Sequence, residues 1–312
     1  MTKARTVLPT DIVALVTFDG RVYPNEAKPW DRLGLDDRGP HALETALEQW
    51  FSFATGKHTW VSVRGATIRG LISARKRAKN TAWEADCLIN ADEDESVCQS
   101  LLARMSEGVT KAGAERIFLR ASADSPICDL ARKSGFFPFS HETLFRLEDT
   151  NPKGPEELNL RARVTEELYP IYQLYNAATP ANVRSIEGVT FREWQAALEP
   201  WGGKPRELVW EENGAIRGWI RCLSQGEAGR MALTVHPNYE EATGALIRAA
   251  LRVISGRSPV FCLAPEYCAS LASNLRGAGF TAMEDYVLLA RRLPVMVKEP
   301  VPEQVGKTIP AS

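Results

Sequence analysis

Residues 230–255 read RMALTVHPNYEEATGALIRAALRVIS, and the way this stretch divides decides the fold. Met231 to Val235 is a run of strand-compatible residues, and Pro237 stops it. Helical spacing then takes over: Leu246, Ala249, Ala250 and Val253 fall on one face, with Arg248 and Arg252 off it. A strand that feeds a helix through a turn containing glycine, here Gly244, aims backbone N–H groups at the turn. The start of such a helix is a ready place for an anion.

The pattern extends outward in both directions. Downstream, PVFCLAP (259–265) reads as a strand, EYCASLASNLRGAGF (266–280) as a helix and EDYVLLARRL (284–293) as a last strand. Upstream, RELVWEENGAIRGWIRCLS (206–224) is a hairpin about Asn213-Gly214, the strongest short hairpin signal in the chain. Before it lie a strand, NLRARV (159–164), and two helices, TEELYPIYQLYNAAT (165–179) and TFREWQAALEP (190–200). Pro170 is early enough in the first helix to be tolerated there.

The first half of the chain repeats this order. DIVALVTFDG (11–20) reads as a strand ending at Asp19-Gly20, and PHALETALEQWFSF (40–53) as a helix. Residues 59–79 give two strands about Arg64-Gly65, and TAWEADCLI (81–89) a third. A helix over 94–113, a strand over 115–122, a short helix over 125–136 and a strand over 141–147 complete the unit. Ile68-Arg69-Gly70 recurs as Ile216-Arg217-Gly218, Ile89 as Val235, Leu119 as Leu263, and Gly135-Phe136 as Gly279-Phe280. The spacing between partners drifts by only a few residues across the unit, so two small indels suffice. The period is far too long for a solenoid. The chain therefore reads as two copies of one α+β domain packed as an internal pseudo-dimer, each a mixed central sheet flanked by helices in α/β/α layers. The expected boundaries are a leader over 1–10, a first domain over 11–148, a linker over 149–158, a second domain over 159–293 and a proline-rich, disordered tail over 294–312.

Bulk composition agrees with this division and narrows the function. The chain of 312 residues suits two domains, and 44% hydrophobic residues can fill their cores. A net charge of −1 gives no general pull toward nucleic acid or an anionic membrane. The run Ile12 to Val16 is too short to span a bilayer, and no secretory signal follows Lys3 and Arg5. None of the 6 cysteines sits in a CxxC pair, so buried reduced thiols are expected. Together these features point to a cytoplasmic protein that binds neither nucleic acid nor membrane. There is no zinc spacing, P-loop, GxGxxG or nucleophile elbow. The basic tract from Arg75 to Lys79 lacks interleaved aromatics and reads as a solvated strand end.

The order of elements, with Val235-His236-Pro237 closing the fourth strand of the second unit, Gly244-Ala245 after it and Gly279-Phe280 further on, resembles the GNAT superfamily of N-acetyltransferases. The corresponding residues of the first unit are Ile89-Asn90-Ala91 and Gly135-Phe136. The resemblance implies a co-substrate, acetyl-CoA, held in a V-shaped splay between the fourth and fifth strands, with its pyrophosphate on the following helix start. No metal is expected. The residues it assigns to the co-substrate are Leu233, Val235, Thr243, Gly244, Ala245 and Leu246. The family's loop pattern is Gln/Arg, two residues, Gly, one residue, Gly/Ala. Here those positions are Glu240, Thr243 and Ala245 in the second unit and Asp94, Val97 and Gln99 in the first. The family's general-acid tyrosine is replaced by Ala131 and Leu275. Glu240 and Glu241 near a phosphate would weaken binding by on the order of tenfold, and Asp92 to Glu95 by more, so any acetyl-CoA site is expected in the second unit.

Aminolysis of a thioester needs a base for the amine proton and a donor for the leaving thiolate. Glu266 and Tyr267, at the end of the fifth strand of the second unit, are the candidate base and acid; exposed polar residues at a strand-to-helix junction are the competing reading. Tyr286 and His236 are further candidates, against core packing and a strand-end role respectively. Two functions follow. One is an N-acetyltransferase acting on a small-molecule or peptide amine, as a monomer with the second unit as the working copy. The other is a catalytically inactive binding or scaffold protein of the same fold.

Overall fold

A computed structural model describes residues 3–19, 23–34, 56–91, 94–148 and 158–294. The helix expected over 40–53, the linker through residue 157 and the tail beyond residue 294 lie outside the described residues.

The strands of the first copy are β1 (Lys3–Thr6), β2 (Lys57–Arg64), β3 (Thr67–Lys76), β4 (Ala82–Asn90), β5 (Arg116–Ser122) and β6 (Phe137–Leu147). Those of the second are β7 (Leu160–Ala162), β8 (Arg206–Glu212), β9 (Ala215–Gln225), β10 (Ala228–Val235), β11 (Val260–Pro265) and β12 (Thr281–Arg292). The described helices are α1 (Ile12–Asp19), α2 (Glu95–Lys111), α3 (Ile127–Lys133), α4 (Leu168–Ala178), α5 (Ala181–Glu187), α6 (Phe191–Ala197), α7 (Thr243–Val253) and α8 (Ala269–Gly277). All twelve strands form one sheet in the order β1-β2-β3-β4-β5-β12-β6-β11-β10-β9-β8-β7. Only β4 with β5 and β10 with β11 run parallel; every other neighbouring pair is antiparallel.

The order shows that the copies exchange their last strands. β6 leaves its own β5 and pairs with β11, with Val260 opposite Leu147 and Pro265 opposite Glu142. β12 takes the vacated place beside β5, with Tyr286 opposite Ser122 and Arg292 opposite Arg116. The two exchanged strands then pair with each other, Val287 opposite His141, and join the halves into one sheet.

The repeated residues have repeated physical roles. A Cβ on Gly70 would lie 2.8 Å from Val97 Cγ1 and from the Ile89 carbonyl oxygen; one on Gly218 would lie 3.1 Å from Leu246 Cδ1. Each glycine lets the helix after the fourth strand (α2 or α7) close down on its sheet. Gly135 and Gly279 have φ of 84° and 92°, so each ends a helix in the left-handed region, and the following Phe136 and Phe280 are buried.

The chain departs from the expectations in three places. Residues 12–19 form α1, not a strand. Leu15 and Phe18, three apart, pack on Val61, Leu71 and Ile89, while Asp11 accepts the Leu8 N–H at 2.8 Å and pairs with Arg5. A continuous apolar run fits either element, and here the cap decides. The stretch read as a leader contains β1, which extends the sheet with Lys3 opposite Val63. α5 was not anticipated, although Pro180 before it and Val183 and Ile186 on its buried side are a readable helix start and face. The hairpin at Asn213-Gly214 forms as expected, both residues at positive φ, 54° and 71°. Five of the cysteines are buried, and Cys268 is half-buried. No described helix is long and apolar enough to cross a membrane.

Candidate active site

The site begins where two parallel strands part. β10 pairs with β9 along its whole length, but with β11 only at Gly229–Val260, Arg230–Phe261 and Met231–Cys262. Beyond that point Ala232 to Val235 and Leu263 to Pro265 diverge around a cavity of about 400 Å3. Its other walls come from α4 to α6 and their loops and from the first copy, through Trp30, Arg77 and Arg120.

The first copy has the same divergence, but there a neighbouring stretch of chain crosses it. β4 and β5 pair only at Ala82–Arg116, Trp83–Ile117 and Glu84–Phe118. The chain itself then fills the gap. Asn25 Oδ1 accepts the N–H groups of Leu88 (2.8 Å) and Ala27 (3.1 Å), and its Nδ2 donates to the Asp86 carbonyl at 3.3 Å. Glu26 N–H donates to the Leu88 carbonyl and Lys28 N–H to the Arg120 carbonyl, each at 2.8 Å. Asn25 to Lys28 thus stitch β4 to β5 across the gap that remains open in the second copy.

A buried ionic network forms the floor of the cavity. The tract read as a solvated strand end supplies it: Arg75 pairs with Asp31 and Glu84, both at 2.6 Å. Arg77, whose side chain is only 6% exposed, pairs with Glu84 (3.2 Å) and Glu199 (3.0 Å) and lies over Phe118. Arg120 pairs with Glu142 at 3.0 Å and Glu199 at 2.8 Å. The reading failed because Glu199 and Asp31 are far from the tract in sequence and reach it only in the fold. Burial pushes the Glu199 carboxyl up, but Arg120 and Arg77 outweigh it and hold the group below the ordinary carboxylate range. Burial dominates at Glu142, whose carboxyl is raised despite Arg120.

Two groups that can move protons face this space. Tyr267, 37% exposed as a whole residue, lines the cavity with Thr179 beside its hydroxyl, and desolvation of the phenol end with the nearby Glu187 pushes it above its usual range. It is a neutral hydroxyl at any ordinary pH. Glu187, at the end of α5, receives the Tyr175 hydroxyl at 2.9 Å. Burial lifts its carboxyl to about 7, against the lowering effect of that hydrogen bond. A carboxyl poised near neutrality beside a neutral phenol can take one proton and give another. Sequence reasoning missed Glu187 because it missed the helix that carries it.

The other expected residues are placed as follows. Glu266 does not line the cavity; its side chain is 62% exposed and faces His141 at 3.4 Å. Tyr286 is buried beside Trp30 and Phe261, its hydroxyl donating to Glu284 at 2.8 Å. His236 Nδ1 accepts the Asn238 N–H at 3.2 Å and caps the short 3-10 turn Pro237–Ala242. Leu233 and Val235 line the cavity. Thr243, Gly244, Ala245 and Leu246 open α7. Leu246 is in the core, and a Cβ on Gly244 would meet Asn274 Oδ1 of α8 at 3.0 Å. Ala131 and Leu275, at the positions of the family's tyrosine, are both fully buried.

An acyl-CoA fits this frame in part. The open strands suit an extended, amide-bearing arm, and the Thr243 hydroxyl, buried at the start of α7, has no hydrogen-bond partner among the described residues. Against it, Glu240 lines the cavity, and the loop before α7 is wound into the 3-10 turn. No metal-binding group of three or more His, Cys, Asp or Glu residues occurs among the described residues.

Comparison with known proteins supports the fold. No protein-family model and no curated protein sequence matches the chain. Among solved structures, the chain is similar to a GCN5-related N-acetyltransferase from Sphaerobacter thermophilus, with a TM-score of 0.57 at 16% identity over 93% of this chain and 95% of that one. It is also similar to a tandem GNAT protein from the clavulanic acid biosynthesis pathway, with a TM-score of 0.51 at 14% identity over 94% of this chain and 98% of that one. The fold is thus that of the GNAT acetyltransferases, present in tandem and spanning nearly the whole length of both relatives.

Proposed function

We propose that this chain, which has the tandem GNAT fold, is an acyl-CoA-dependent N-acetyltransferase whose working site is the β10–β11 splay of the second copy. The observation that carries the reading is the contrast between the copies: the strands part around a cavity in the second and are bridged by Asn25 to Lys28 in the first. Bound acetyl-CoA would supply an activated thioester carbonyl. The chain's residues do the rest. Leu233 and Val235 border the arm, and the start of α7 would face the phosphates. Glu187 takes the proton of the attacking amine, in the role first assigned to Glu266, and Tyr267 gives one to the departing sulfur. The indoles lining the cavity keep bulk water away from that exchange.

Titration calorimetry with acetyl-CoA, followed by an assay of thiol release in the presence of amines, tests this. One site per chain, lost in Val235→Trp and accompanied by amine-dependent thiol release, is the expected result. Absence of binding at millimolar acetyl-CoA would overturn it. Binding without release to any amine would favour a binding module of the same fold, a reading that Glu240 at the cavity and Leu275 in place of the family's tyrosine support.

A further inference from the structure

The charges around the cavity divide into those already matched and those left over. Arg77 and Arg120 are each held by two carboxylates. Arg221 is different. It lines the cavity from β9, and among the described residues it has no ion-pair or hydrogen-bond partner. Its guanidinium carbon lies instead 4.3 Å from the Trp219 ring centre and 4.9 Å from that of Trp201. The Trp201 indole N–H is itself buried, with no acceptor among the described residues. Burial pulls the Arg221 guanidinium down to about 10, although Glu207 opposite it on β8, Glu199 and Glu187 each act to raise it, none of them close enough to pair.

Glu187 is the complementary leftover. Among the described residues Tyr175 is its one hydrogen-bonding side chain, and the arginines of the network are held by other carboxylates. Arg221 and Glu187 line the same cavity and feel each other's charge, yet they are too far apart to pair. A cation and a carboxyl, each without a direct ion pair among the described residues, across one small cavity are the mould of a molecule bearing both opposite charges. A guanidinium held by its ring faces leaves its N–H edge for a planar oxyanion.

We propose that the acceptor is an amino acid or another small amine that carries a carboxylate, with the carboxylate on Arg221 and the amine toward Glu187. The inference rests on the acyltransferase reading for the fate of the amine, and on the cavity alone for its binding. Trp194, Trp201 and Trp219 give that ligand aromatic walls, and a cavity of about 400 Å3 is of a size that small ligands occupy. Arg221 is thereby a specificity-determining residue and takes no part in proton transfer.

The test uses the full chain and its own tryptophans. Indole fluorescence and thermal shift are recorded with the standard L-amino acids, β-alanine and γ-aminobutyrate, each with and without acetyl-CoA. The best binder is then compared with its methyl ester and its decarboxylated amine. At least one amino acid is expected to bind, with the ester and the amine weaker by about tenfold or more. Arg221→Gln should erase that preference and Arg221→Lys retain part of it, with folding checked by circular dichroism. The comparison of acid with ester on the unaltered chain stands even if both variants misfold. Equal binding of ester and acid, or no amino acid binding in either state, overturns the proposal. Transfer of acetyl groups to carboxylate-free amines without preference would sink this inference and leave the acyltransferase reading standing. Acid-selective binding in a chain that takes no acetyl-CoA would do the reverse.

Discussion

The Tyr175 hydroxyl donates to Glu187 Oε2 at 2.9 Å, and this contact joins α4 to the end of α5 at the cavity wall. It orients the carboxylate, while burial, the larger effect, lifts the group to about 7. The free-protein rate constant kcat/KM is therefore expected to rise with pH and level off above about 7, as Glu187 loses its proton. Glu187→Gln should remove that limb and lower turnover about a hundredfold. Linkage gives the same group a stability signature of definite sign. Its folded value lies above its unfolded one, so its contribution is full below the unfolded value and is lost as pH rises through about 7. Chemical denaturation at a series of pH values should show this loss in the unaltered chain and not in Glu187→Gln. A rate profile flat across neutrality would remove Glu187 as the base.

Tyr267 and Glu266 are neighbours in sequence with opposite expectations. Tyr267→Phe removes only a hydroxyl from the cavity wall and should lower kcat about tenfold or more while leaving acetyl-CoA binding unchanged. Glu266→Gln alters an exposed pair with His141 and should leave kcat where it was. Equal losses in the two variants, measured by thiol release, would contradict the placement of the reacting centre.

Asn25 holds the first copy closed. Asn25→Ala would leave the Leu88 and Ala27 N–H groups and the Asp86 carbonyl without their side-chain partner, a loss of about 3 kcal/mol in stability. A lowered Tm with an unchanged stoichiometry of one acetyl-CoA per chain is expected. A second site appearing in the unaltered chain would mean that the filled gap still admits ligand.

The paired glycines should differ in their tolerance. A methyl group on Gly70 would meet a backbone oxygen and Val97 at 2.8 Å and Leu101 at 3.0 Å. Gly70→Ala should therefore cost about 2 kcal/mol. On Gly218 the nearest atom is the end of the Leu246 side chain at 3.1 Å, with no backbone atom as close. Gly218→Ala should stay within about 1 kcal/mol of the unaltered chain, since the steric strain is offset by lost freedom in the unfolded state. Urea denaturation of both variants checks the ranking.

What the sequence determined by itself was everything that is local or repeated. The stretch from Arg230 to Ser255 reads correctly as strand, turn and helix because its apolar period changes at Pro237, and that change is visible in one dimension. The repeat was legible because Gly70 and Gly218, and Gly135 and Gly279, answer the same steric demands in both copies. Tyr267 was legible as a residue at the end of β11. What the sequence left open is what backbone pairing and distance decide. Ladder hydrogen bonds carry little side-chain identity, so nothing in β6 or β12 announces that each would cross to the other copy. Arg77 looked solvated because Glu199, its partner, lies 122 residues away. Asn25 is a turn residue by composition, and only the divergence of β4 from β5 gives it a gap to fill. Glu187 and Arg221 became a site because packing half-buried them facing one cavity, and desolvation, a property of the whole fold, is what makes a charge without a direct partner matter.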